Sequence, residues 1–148
     1  MYGCLQIDIA NIFPRSHRIF QIWEPARAFT KPNCQTAKFN EIFGNTGVVF
    51  NFHGYPEAIK QLTWSFDVSD RLKILGYVEE GTTTTPFDME VKNKASRYHV
   101  CIEAIRLGAR INDAVANRKE DLIKYFKDKL QEHRSYIEEF SEDMPEVR

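Results

Sequence analysis

The chain has 148 residues, with 20 lysines and arginines against 21 aspartates and glutamates, for a formal net charge of −1. Balanced charge excludes the simplest electrostatic case for a nucleic-acid or membrane-surface protein. With 43% hydrophobic and 13% aromatic residues, it cannot be wholly disordered; one soluble domain with a core of its own is expected.

The first forty residues differ from the rest. They carry Arg15, Arg18, Arg27, Lys31 and Lys38 against Asp8 and Glu24, a surplus of three, while the remainder carries a deficit of four. Leu5-Gln6-Ile7-Asp8-Ile9 alternates apolar and polar and predicts a half-buried strand. Beyond it, Phe13, Phe20, Trp23 and Phe29 alternate with the arginines, and Pro14, Pro25 and Pro32 interrupt them. Basic residues among aromatics can serve single-stranded nucleic acid. Five cations and three prolines fit an irregular packing segment better. Residues 1–38 are therefore set apart as an atypical N-terminal segment from a domain over 39–148.

From Gly47 the pattern sharpens. Val48-Val49-Phe50-Asn51-Phe52 predicts a strand covered on both faces. His53-Gly54 turns, Pro56 suits the first position of a helix, and Glu57 to Trp64 continues it. Leu72 to Val78 predicts a second strand, so strand, helix and strand form a βαβ unit with parallel strands. Thr85-Pro86-Phe87-Asp88 reads as a helix start with Thr85 as cap and Asp88 at the third position. Ser96 is expected to cap the next helix, with Val100, Cys101, Ala104 and Ile105 inward and Gly108 just past its end. In the last helix, Asn117 and Glu120 read as a capping pair, and Leu122, Phe126, Leu130, His133, Ile137 and Phe140 share one face. His133 on that stripe reads as a packing histidine with its polar atoms satisfied.

Nothing along the chain assembles a catalytic centre. Phosphate-binding glycine loops, Gly-x-Ser-x-Gly and His-Glu-x-x-His are all absent. Glu79 and Glu80 follow a strand, where successive side chains point to opposite faces, so they make a poor acid/base pair. Cys4, Cys34 and Cys101 are as scattered as His17, His53, His99 and His133, so no metal site is expected. The absence of a basic start before an apolar run, of any spanning stretch and of paired cysteines points to a cytoplasmic location. Catalytic and metal residues are accordingly none.

A polar ligand edge is the one candidate site. Parallel strands would deliver His53 and Tyr55 and the loop Thr82, Thr83, Thr84 and Thr85 to the same carboxyl edge, where open α/β sheets bind ligands. Threonine hydroxyls beside free N–H groups at a helix start could hold an anion, such as a phosphate-containing small molecule or nucleotide. The alternative is an edge docked on another domain, with the hydroxyls satisfying the backbone.

His53-Gly54-Tyr55-Pro56, the string Gly76-Tyr77-Val78-Glu79-Glu80-Gly81-Thr82-Thr83-Thr84-Thr85-Pro86-Phe87-Asp88-Met89, and Ser96-Arg97-Tyr98-His99-Val100 resemble the C-terminal domain of xylulose 5-phosphate/fructose 6-phosphate phosphoketolase. His133-Arg134-Ser135-Tyr136-Ile137 and Asp143-Met144-Pro145-Glu146 extend the resemblance, which runs from about Phe39 to the end. It implies an α/β three-layer sandwich with a mostly parallel sheet, like the C-terminal domain of transketolase. It also implies enzymes, aldehyde-lyases of carbohydrate metabolism, that use thiamine diphosphate and magnesium to cleave a ketose phosphate with phosphate to acetyl phosphate. In that family two other domains hold the cofactor, so this chain is expected to bind none. Its expected partners are the remaining domains or a second subunit, with neither nucleic acid nor membrane. The family's cofactor motif, Gly-Asp-Gly followed by Asn, is missing here, and residues Ile12–Thr36 depart from the family pattern. The length suits the third part of such an enzyme, acting in assembly without catalysis of its own.

Overall fold

A computed structural model describes residues 35–44, 46–64, 68–78 and 84–148. The strand expected at Leu5–Ile9 and the residues Thr82 and Thr83 lie outside them. Among the described residues eight elements follow one another: α1 (Gln35–Phe43), β1 (Val48–Asn51), α2 (Pro56–Thr63), β2 (Leu72–Leu75), α3 (Pro86–Lys92), α4 (Arg97–Gly108), α5 (Asp113–Asn117) and α6 (Lys119–Phe140), then a 3-10 turn at Pro145–Val147.

The βαβ expectation holds. β1 and β2 pair in parallel, Val48 opposite Leu72 through Asn51 opposite Leu75, with α2 between them in sequence. Both strands are shorter than their apolar runs, because pairing stops at Asn51 and Leu75 where the chain turns into loops. The expectation that β1 is covered on both faces fails: Val48, Val49 and Phe50 are half-buried and Asn51 is exposed. The described residues therefore form a mixed α/β domain with a two-stranded parallel sheet.

Two apolar centres hold these elements. The larger joins Phe87 of α3, Tyr98, Cys101, Ile102 and Ile105 of α4, Val115 of α5, and Ile123 and Phe126 of α6. Removing such side chains from water is the main favourable contribution to folding, about 1.5–3 kcal/mol for each fully buried one. The smaller centre sets Phe39 of α1 against Val68, with Phe43, Val48 and Leu72 alongside. Arg71 closes it: its guanidinium lies 5.1 Å from the Phe39 ring centre and donates to the carbonyls of Gly44 and Thr46 and to Asn40 Oδ1. Helix α1 went unforeseen, since Phe39, Ile42 and Phe43 offer only one turn of helical spacing after a proline-broken stretch.

Helix boundaries correct several expectations. Ser96 precedes α4 without capping it; its hydroxyl pairs with His99 Nδ1 at 2.8 Å. Gly108 is the last residue of α4, and Ala109 takes the C-cap in ordinary right-handed conformation. Asn117 belongs to α5, so Arg118 rather than Asn117 precedes α6. The side-chain cap in this region is Asn112, whose Oδ1 accepts from the N–H groups of Ala114 and Val115 at 3.0 and 3.4 Å. On α6 the stripe is real but shifted, with Ile123, Phe126 and His133 buried and Phe140 exposed.

Candidate functional site

The carboxyl ends of β1 and β2 meet as expected of parallel strands. Phe52 N–H donates to Leu75 O at 3.4 Å, and Tyr77 N–H donates to Gly54 O at 2.7 Å. Gly76 permits that approach, because a Cβ there would stand 2.4 Å from Gly54 O and 2.8 Å from Pro56 Cγ. His53 lies flat on Tyr77, ring centres 4.7 Å apart and planes 11° from parallel. Tyr55 takes the N-cap position of α2 in extended conformation, without a side-chain cap bond, and the residue is 55% exposed. The loop after β2 is tied on by Val78 N–H donating to Asn93 Oδ1 at 2.6 Å, while Asn93 Nδ2 donates back to Met89 O at 2.8 Å.

Thr84 and Thr85 belong to a second cluster, away from this edge in bonding. The Thr84 hydroxyl donates to Asp88 Oδ2 and the Thr85 hydroxyl to Asp143 Oδ1, each at 2.5 Å. Thr85 therefore stands at the N-cap position of α3 without capping it through its side chain. Asp143, arriving from beyond α6, does that instead: its Oδ2 accepts the Phe87 N–H at 3.1 Å. An N–H of the first turn has no partner inside its own helix, so a carboxylate from another segment fits there in both charge and geometry.

Between the two aspartates lies His133, with no exposed surface. Its Nε2 is 3.9 Å from Asp88 Oδ1 and 3.7 Å from Asp143 Oδ1, and the Phe87 ring meets it edge-on at 4.9 Å. Neither ring nitrogen makes a hydrogen bond among the described residues. The expectation of a satisfied packing histidine is thereby corrected. It is buried on the apolar stripe with the two carboxylates beside Nε2, beyond hydrogen-bond distance, and no partner for Nδ1 among the described residues.

The chain end is pinned over this cluster. Ser141 takes the left-handed conformation (φ 55°) that turns the chain off α6. Met144 is buried, Tyr98 Oη donates to Glu146 Oε1 at 3.0 Å, Arg97 donates to Glu146 O at 2.7 Å, and Lys129 pairs with Glu146 at 3.3 Å. Arg148 Nε donates to Asp143 O at 2.8 Å.

Electrostatics follow these contacts. Burial pushes the Asp88 carboxyl upward, but the Thr84 hydroxyl, the Lys92 ammonium at 3.0 Å and the His133 ring hold it below the ordinary carboxylate value. Hydrogen bonding from Tyr98 and Lys129 lowers Glu146. Burial lowers His99 and raises the Cys101 thiol to about 11, too high for a reactive thiolate. Among the described residues no set of three His, Cys, Asp or Glu side chains could hold a metal ion. The magnesium that the family resemblance implies thus finds no such donor set among them.

The structure joins His53 to Tyr77 at one edge, and Thr84 and Thr85 to Asp88, His133 and Asp143 in another cluster. Sequence reasoning missed the second because its members come from three distant segments. The usable signal was a histidine on an apolar stripe, whose ring must find polar partners once buried.

Fold and clusters together define an α/β domain built on a parallel βαβ unit, closed by helices α4 and α6 and by a clasped chain end. The chain belongs to the XFP C-terminal domain family, the C-terminal domain of phosphoketolases, whose model matches residues 24–148. It is 46% identical over 101 residues to a probable phosphoketolase of Bradyrhizobium diazoefficiens, covering 68% of this chain and 12% of that protein. It is 44% identical over 108 residues to one of Chlorobaculum tepidum (68% and 12%) and 43% identical over 111 residues to one of Gloeobacter violaceus (74% and 14%). The aligned part is thus 12–14% of the length of these relatives.

Proposed function

We propose that this chain serves a phosphoketolase as its C-terminal domain, acting in domain packing and subunit assembly rather than in bond cleavage. The observation that carries the reading is the family match over 24–148, on a segment equal to an eighth of its relatives' length. The parent activity is cleavage of xylulose 5-phosphate or fructose 6-phosphate with phosphate to acetyl phosphate. Thiamine diphosphate and magnesium supply that chemistry when bound by the other domains, which with a second subunit are this chain's partners. On this reading β1 and β2 are two strands of a mostly parallel, three-layer sandwich of transketolase type. Residues 1–38 stand apart from the domain over 39–148, with α1 spanning the boundary. A cytoplasmic location agrees with the finding that no described helix is long and apolar enough to cross a membrane. The test is an assay of the purified chain with xylulose 5-phosphate, phosphate, thiamine diphosphate and magnesium. No acetyl phosphate above the blank is expected; sustained turnover would overturn the reading.

A second reading makes the strand edge a site for a phosphate-containing small molecule, with His53, Tyr55, Thr82, Thr83, Thr84 and Thr85 around it. Its support is the junction of both loops through Gly54 and Tyr77 and the exposure of His53 and Tyr55. Against it, Thr84 and Thr85 already give their protons to carboxylates. Titration calorimetry with phosphate, sugar phosphates and adenine nucleotides decides it. Binding tighter than about millimolar that Thr83→Val weakens would support this reading, and its absence would remove it.

A further inference from the structure

We propose that His133 is a proton-operated clasp: protonated, it bridges Asp88 and Asp143 and holds the chain end 141–148 against the start of α3. The observations are independent of the family match. The ring is fully buried, its two nitrogens lack hydrogen bonds among the described residues, and its Nε2 faces one oxygen of each of two buried aspartates from different segments. Burial opposes a charge on the imidazole, but a proton there places a cation between two carboxylates that otherwise face each other in a low-dielectric site without one.

The surrounding charges are committed elsewhere. From α3, Lys92 neutralises the far oxygen of Asp88 at 3.0 Å, while Glu90 adds negative charge that senses Asp143. From α4, Arg97 lies over the Phe87 and Tyr98 rings and donates to Glu146 O. On α6 itself Lys129 is taken by Glu132 and Glu146. From the chain end Arg148 reaches the Asp143 carbonyl and the Glu142 carboxylate, not the Asp143 carboxylate. Asp143 therefore has one nearby cationic candidate among its described ion-pair contacts, the His133 ring.

The clasp has a direction. Once the imidazole gives up its proton at rising pH, no cation stands between the two aspartates and they repel. Asp143 also holds the Phe87 N–H and the Thr85 hydroxyl, so its release would free the start of α3 together with the chain end.

The test follows both partners in the full-length chain. The His133 ring is titrated by NMR, its signal assigned by loss in His133→Gln, while amide exchange is read at Phe87, whose N–H donates to Asp143, and at Val147, whose N–H donates to Met144 O. After correction for intrinsic exchange, opening at these amides is expected to rise about tenfold between roughly pH 5.5 and 8.5, with the midpoint of the His133 titration. Asp143→Asn keeps an oxygen for Phe87 N–H but removes one charge, and is expected to lower that midpoint by about half a unit or more. Exchange that ignores the His133 titration, or a midpoint that Asp143→Asn leaves in place, would overturn the proposal.

Discussion

At the residue scale, the strand edge depends on a missing Cβ. Gly76 lets Tyr77 N–H reach Gly54 O at 2.7 Å, and any side chain would meet backbone oxygen, which cannot swing aside. Gly76→Ala should therefore destabilise the chain by roughly 1–3 kcal/mol, as overpacking against fixed atoms does, and shift its urea midpoint down without changing the slope. An unchanged midpoint would show that the two loops do not depend on this contact. The identities of the edge residues were legible in sequence: His53, Gly54, Tyr55 and Pro56 do stand at the turn from β1 into α2. The use of the Thr84 and Thr85 hydroxyls was not, because a hydroxyl reads the same whether it faces an anion or a buried carboxylate. Asp143, which decides the matter for Thr85, lies 58 residues away.

At the element scale, helix existence was easier to read than helix ends. The apolar stripes of α4 and α6 arise from burial against each other, and periodicity reports burial directly. Caps depend on which of several polar residues the chain happens to turn toward. Thr85 and Ser96 have capping chemistry, yet their hydroxyls serve Asp143 and His99 instead. Asn117 does not cap α6, whose N-cap position Arg118 takes without a side-chain bond, while Asn112 caps the short α5 before it. Asn112→Ala should cost about 1 kcal/mol by thermal melting, while Asn117→Ala, at an exposed helix end, should stay within about 0.5 kcal/mol. Equal losses would contradict the assignment.

At the scale of the whole molecule, the βαβ order and parallel pairing were legible, because two apolar runs around one short helix allow little else. The fixing of the chain end was not. It relies on Asp143, Glu146 and Arg148, whereas the acidic stretch from Glu138 to Glu146 reads in sequence as a solvated helix end. Ionisation of Asp88 and Glu146 gives stability an acid edge. Asp88 and Glu146 lie below the ordinary carboxylate value in the folded chain, so the stability they add is complete above the unfolded value near 4 and lost as pH falls through their folded values. His99, lowered chiefly by burial, adds a loss that begins as pH drops below about 6.5, where the unfolded chain takes up its proton first. The melting temperature should accordingly fall from about pH 6.5 to pH 3.5, and Asp88→Asn should flatten the lower part of that fall. A flat profile across this range would contradict the burial and pairing described for these groups.

The assembly role is open to one direct measurement. The chain is mixed with the Bradyrhizobium diazoefficiens relative from which the matching C-terminal segment has been removed, and sedimentation and acetyl phosphate formation are followed together. A stable complex whose activity exceeds that of the shortened relative alone by at least about tenfold is the expected result. Independent sedimentation of the two polypeptides, with the shortened relative folded by circular dichroism and its activity unchanged, would contradict it.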